Sequence, residues 1–209
     1  MKKTIFLFLV TFLVSTMTVE AFVVMNDVVP AFPQQNREKI EAAVIEGTIR
    51  FLQAKSYADL LLKEYEKSAK QALDYTAALD YAEKTITELE TAKREYETSI
   101  AVGSRAGYAA GNIQRFKTFD YGQFESGKEL DNHLMTAVKS YFSAGDILGA
   151  YQENIDNIDG ILTVLQQIRE KLKENETPDI ELFWNLLQRF TRTALFGNYC
   201  TMTAAAVLK

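Results

Sequence analysis

Cysteine occurs once in 209 residues, at Cys200, and histidine once, at His133. A single thiol excludes an internal disulfide, and one histidine excludes a histidine pair, a Cys-His couple or a zinc cluster within the chain. Proline is nearly as scarce, with Pro30, Pro33 and Pro178 the only three, so long helices meet few obstacles. No polar–apolar alternation is sustained long enough for a strand, and the middle of the chain is rich in Ala, Leu, Glu and Lys, which favour helix. Positive charge is also in deficit: 23 basic against 28 acidic residues give −5, the wrong sign for a nucleic-acid binder. A phosphate loop, a haem-attachment motif and a Gly-x-Ser-x-Gly elbow are all missing, and nothing sets a tuned acid beside a base. No catalytic residue, cofactor or metal is therefore assigned, and an enzyme is not expected.

What the chain does have is a seam. Small or apolar residues recur from Ile40 through Val44, Gly47, Phe51, Ala54, Ala58 and Leu62, and onward through Leu79, Ala82, Ile86, Leu89, Ala92 and Tyr96 to Ile100. The spacing of about 3.5 residues is that of a coiled-coil stripe. No proline interrupts it, and Gly47 is its one glycine. It predicts a very long helix, or two helices in line, of roughly 90 Å at about 1.5 Å per residue. Such a rod cannot bury its own stripe, so partner helices must come from the rest of the chain. The dense mixed charges between the seam positions, such as Lys63, Glu64, Glu66 and Lys67, read as a solvated face.

The N-terminus has the form of an export signal. Lys2 and Lys3 precede the apolar run from Ile5 to Val14, and Val19-Glu20-Ala21 offers a cleavage site. The charge-free run ends at Val19, short of the roughly 20 residues that a membrane-spanning helix needs. Removal of residues 1–21 leaves 21 basic and 27 acidic residues, a net charge of −6. Residues 22–35, with Val23, Val24, Val28 and Val29 closed by Pro30 and Pro33, read as an extended leader that lies on another surface. Asn36 is the expected cap of the first helix.

After Ile100 the pattern breaks at Gly103, Gly107 and Gly111, and Phe116, Phe119, Tyr121 and Phe124 follow without clean periodicity. The expected division is a signal peptide at 1–21, a leader at 22–35, a long helix at 36–102, a loop-rich or short-helix appendage at 103–128, and returning helices at 129–209. Within the last, a pattern starting near Glu129 leads to a strong seam through Ile155, Ile158, Leu162, Leu165, Ile168 and Leu172. A turn at 173–178 follows, with Thr177 as expected cap and Pro178 at the first helical position, and a final helix runs from Asp179 towards Val207. The fold class is all-α: an elongated three-helix bundle with a coiled-coil-like long first helix and a small appendage.

Three lesser motifs dissolve on inspection. Asn154, Asp156 and Asp159-Gly160 have the look of a calcium loop, but the glycine stands at the seventh position instead of the sixth and the segment is helical in pattern. His133 follows Glu129 by four residues, a helix-surface spacing and not Glu-x-x-His. The Gly103, Gly107, Gly111 series suits either a helix terminating into a loop, the favoured account, or a flat face for close helix contact.

In layout the chain resembles the minor pilins of bacterial type IV secretion and conjugation systems, which include pilus-tip proteins. The resemblance is carried by the export signal, the Val/Pro leader from Val23 to Pro33, the long helix, the turn Glu176-Thr-Pro-Asp179, and Gly103, Arg105 and Gly107 where the family has Thr-Gly-x-Arg-x-x-Gly. Val102 stands in place of the threonine and the second glycine comes one residue early; the family's appendage tryptophan has no counterpart, since the one tryptophan is Trp184. The resemblance implies a non-enzymatic component, exported to the periplasm and then displayed on a cell-surface pilus, aiding assembly or contact with a recipient cell. Its partners would be other pilus or secretion-channel proteins and a recipient surface, with no nucleic acid and with the membrane met only during export. Arg105, Phe116, Phe119, Tyr121 and Phe124 are the expected contact residues; the alternative for them is an appendage core packed on itself. The competing functional reading is a stand-alone periplasmic helical binding module or chaperone. A third, a small-ligand four-helix carrier, requires an enclosed apolar cavity.

Overall fold

The computed structural model describes residues 34–68, 72–105, 132, 136 and 147–207. Four long helices make up this part: α1 (Gln34–Lys67), α2 (Tyr75–Arg105), α3 (Ile147–Lys173) and α4 (Ile180–Val207). The all-α bundle is as the seams predict. The expected rod, one very long helix or two helices in line, is instead two helices folded back on each other, so the described bundle has four helices where three were expected. Asp74 explains where the second begins, because its Oδ1 accepts the Ala77 amide at 3.0 Å, as an N-cap does. At the end of α1, Ser68 bonds the Tyr65 carbonyl through both its amide, at 3.0 Å, and its hydroxyl, at 2.6 Å. Folding back is favoured because each half of the seam then buries the other, which an isolated rod could not do.

Cross-helix contacts fix the topology. Arg50 meets Glu88 and Lys84 lies over the Tyr57 ring, so α1 and α2 are antiparallel. Lys93 meets Asp159 and Gly103 lies under Leu148, so α2 and α3 are antiparallel. Glu153 meets Arg192, and ring pairs Phe51–Phe190 and Tyr65–Phe183 stand at 5.4 and 4.2 Å, so α4 runs antiparallel to both α3 and α1. The result is an up-down-up-down four-helix bundle with each helix packed on the next and α4 closing against α1.

Small residues let the helices approach. Ala54, Ala58, Ala82 and Ala92 are buried at the seams. A Cβ added at Gly47 would lie 3.2 Å from the Tyr96 ring and 3.3 Å from the Ala92 carbonyl, which is why the seam carries glycine there. Gly103 has the same role: α2 runs through it to Arg105, and a Cβ at Gly103 would fall 2.5 Å from Leu148 Cδ2. The glycine expected to end the helix thus serves a close crossing of α2 and α3. Gly107 and Gly111 lie outside the described residues.

One end of the bundle, the turn end, joins α1 to α2 and α3 to α4. Its α3–α4 turn is a left-handed C-cap: Asn175 has φ 55°, and the Glu176 amide reaches back to the Lys171 carbonyl at 2.9 Å. Helix α4 starts at Ile180, two residues later than Pro178 at the first helical position would place it, and Thr177 bonds the Tyr75 hydroxyl at 3.0 Å instead of capping. Likewise α1 begins at Gln34, so Asn36 is inside the helix and not its cap. At the other end, the link end, α1 begins, α4 finishes, and residues 106–146 connect α2 to α3. Of that connection Asn132 and Thr136 are described as helical, with the Thr136 hydroxyl on the Asn132 carbonyl at 2.8 Å. The expected signal peptide and nearly all of the leader lie outside the described residues, and no described helix is long and apolar enough to cross a membrane.

Candidate functional site

The turn half of the bundle is almost purely apolar inside, with Leu61, Leu165, Ile168, Leu172 and Phe183 buried. The other half is different. Of the eight buried polar or charged side chains among the described residues, Ser99, Glu153, Asn154, Thr191, Arg192 and Thr193 lie from the bundle's waist to its link end, and Glu64 and Thr85 in the turn half.

Most of these polar groups are satisfied. The Ser99, Thr191 and Thr193 hydroxyls donate to carbonyls three or four residues back, at 2.6–2.9 Å. Arg192 Nη2 donates to Glu153 Oε1 at 3.0 Å, with the two side chains only 7% and 3% exposed. A pair so buried adds little net stability, but it strongly penalises loss of either partner. Asn154 Oδ1 is among the buried polar atoms that are not. Asn154 stands three residues after Tyr151 and four before Ile158 on the buried stripe of α3, is 1% exposed, and its Oδ1 has no hydrogen-bond partner in the protein. An acceptor left in that condition costs about 1–3 kcal/mol.

Asn154 borders a cavity of about 370 Å³ to which all four helices contribute. Thr48, Phe51 and Leu52 come from α1 and Tyr96 from α2, facing Ala194 and Gly197 of α4. Leu52 is 48% exposed, so the cavity reaches the surface beside it. Its lining surface is mainly apolar, and Thr48, Tyr96, Asn154, Thr193 and Asn198 supply its polar groups. The Thr48 hydroxyl donates to the Val44 carbonyl at 2.8 Å and shares a hydrogen bond with the Tyr96 hydroxyl at 3.0 Å. Gly197 gives room to the Asn154 amide, since a Cβ there would lie 3.0 Å from its Nδ2. No charged side chain lines the cavity.

Outside the cavity α2 and α3 are tied by Lys93 Nζ, 2.7 and 2.9 Å from the two Asp159 oxygens. That hydrogen bond, outweighing the penalty of burial, holds the Lys93 ammonium above its ordinary 10.5. Helix α3 runs unbroken through the segment weighed as a calcium loop, and its side chains diverge: Asn154 is buried, Asp156 exposed, and Asp159 paired with Lys93. Among the described residues no group of three His, Cys, Asp or Glu could hold a metal ion.

Of the expected contact residues, Arg105 is the last residue of α2, at the link end. Phe116, Phe119, Tyr121 and Phe124 lie outside the described residues. Sequence reading missed Glu153, Arg192 and the cavity. A signal was present: Arg192 is the sole charge from Phe190 to Leu208, and Glu153 the sole charge from Ile147 to Ile155, two lone opposite charges in otherwise uncharged runs. The lone pairing of Asn154 with Gly197 left no such signal. No protein-family model, curated protein or solved structure matches the chain.

Proposed function

We propose that this chain is a non-enzymatic minor component of a type IV secretion or conjugation pilus, exported to the periplasm and assembled at the cell surface, where it aids pilus assembly or recipient contact. The observation that supports this reading is the bundle's polarity. A stiff four-helix body ends with α2 and α3 side by side, Gly103 against Leu148, so residues 106–146 leave and re-enter the bundle at one end. A rigid scaffold that carries a long, aromatic-rich connection at one end suits display of a contact surface. On this reading Arg105, Phe116, Phe119, Tyr121 and Phe124 belong to that surface.

Shearing the native cells and fractionating the released filaments tests it. The chain should travel with the pilus fraction, and Phe119→Ser or Tyr121→Ser should lower transfer while leaving the helical circular-dichroism spectrum intact. A chain found wholly outside the filament fraction contradicts the reading. The cavity, although it opens to the surface beside Leu52, favours a second reading, a small-ligand four-helix carrier. The genetic neighbourhood separates the two, because a pilus component should lie among secretion ATPase and channel genes.

A further inference from the structure

We infer that the cavity between the four helices binds a small neutral amphiphile: an apolar body in the α1–α4 cleft and one hydrogen-bond donor directed to Asn154. The inference rests on the cavity alone and holds whether the bundle sits on a pilus or by itself, so its failure leaves the pilus reading untouched.

Size sets the body. A cavity of about 150 Å³ accepts benzene, so about 370 Å³ accommodates roughly twice that, a molecule of about twelve to fifteen heavy atoms. The walls set its polarity. Phe51, Leu52 and Ala194 offer apolar surface, and Leu52 marks the way in from solvent. Charge is excluded, because no lining side chain is ionic and the nearby guanidinium of Arg192 already engages Glu153. A carboxylate or ammonium would be stripped of water there without a counter-charge.

The head group follows from Asn154. Its Oδ1 is a buried acceptor that the protein itself does not use, so a ligand hydroxyl, phenol or amide N–H meets that demand once rotation of the amide turns the oxygen toward the cavity. Gly197 keeps the amide in place at the cavity wall, since any larger residue would press on it. A water molecule could meet the same demand, but water would confer no preference between ligands.

The test uses the full mature chain, titrated calorimetrically with 4-hexylphenol and with its methyl ether, 4-hexylanisole. The two share an apolar body, and only the phenol can donate. The phenol should bind with Kd of about 100 µM, within the range open to a ligand of this size. It should bind about five- to tenfold more tightly than the ether, the worth of one neutral hydrogen bond. Asn154→Leu, similar in volume, should abolish the preference while still binding both, and Ala194→Phe should block both. Circular dichroism and a cooperative melt establish that each variant is folded; if Asn154→Leu were not, Asn154→Ser, which keeps a hydroxyl but withdraws it, serves in its place. Failure of the wild-type chain to bind either compound overturns the site. Equal affinity for the two, or a preference that survives the loss of the Asn154 amide, overturns the assignment of the head group.

Discussion

The two ends of this bundle are built on different principles. At the turn end, Leu165, Ile168, Leu172, Phe183 and Leu186 pack with Leu61 and Ala78 in a core whose one buried carboxylate, Glu64, has Lys67 at 2.7 Å. From the waist to the link end, the same four helices enclose an ion pair, an unsatisfied amide and a cavity. Helix pairing alone needs none of these. Each buried Leu or Ile contributes about 1.5–3 kcal/mol, whereas a buried ion pair roughly breaks even and an empty acceptor is a net cost. The turn end thus rests almost wholly on apolar packing, whereas the link end, which also buries Tyr96, Tyr151 and Phe196, carries polar groups retained at a cost to stability.

Breaking the ion pair should have the largest effect. Arg192→Met leaves Glu153 buried without its guanidinium and should cost about 3–5 kcal/mol in urea unfolding. The double variant Glu153→Leu/Arg192→Met should recover most of that loss, because the penalty lies in the orphaned charge. At the turn end Leu165→Ala removes fully buried methyl groups and should cost about 2–5 kcal/mol, with no rescue available from a neighbouring substitution. Gly103→Ala should cost at most about 2 kcal/mol net, because forcing Leu148 aside costs about 1–3 kcal/mol and alanine's helix propensity returns about 1 kcal/mol.

Asn154→Leu should move the other way. Replacing an unsatisfied amide with an apolar group of similar size should leave stability unchanged or raise it by about 1 kcal/mol in thermal melts. The smallest effect belongs to Lys93→Met, less than about 1 kcal/mol, because the Lys93–Asp159 pair is partly exposed. Its pH signature has a definite sign. Folding raises the lysine above 10.5, so its contribution is fully present below that value and disappears as pH rises through the folded-state value. The wild type should therefore lose its small advantage over Lys93→Met in melts run at strongly alkaline pH.

Much of the bundle was legible because burial repeats with the helical period. Val44, Phe51, Ala54, Ala58, Ala82, Ile86, Leu89, Ala92 and Tyr96 are buried where the seam puts them, as are Ile155, Ile158, Leu165 and Ile168. The reversal between α1 and α2 was not legible, since a seam folded on itself keeps the same spacing as one that runs straight, and Ser68 and Asp74 mark the break without glycine or proline. Gly103 misled for a related reason: a helix terminator and a close helix crossing ask for the same residue. The cavity depends on how Thr48, Tyr96, Asn154 and Gly197 meet across four helices, and their separation in sequence conceals that meeting. Asn154 was visible only as a member of a failed calcium motif.

Native-state amide hydrogen exchange tests the contrast between the two ends most directly. Amides around Ala82–Leu89 and Ile161–Leu172 should exchange only through global unfolding, while those around Val44–Phe51, Asn154 and Thr193–Gly197 should open at clearly lower free energy. Uniform protection along all four helices, or greater protection at the link end, would contradict the account.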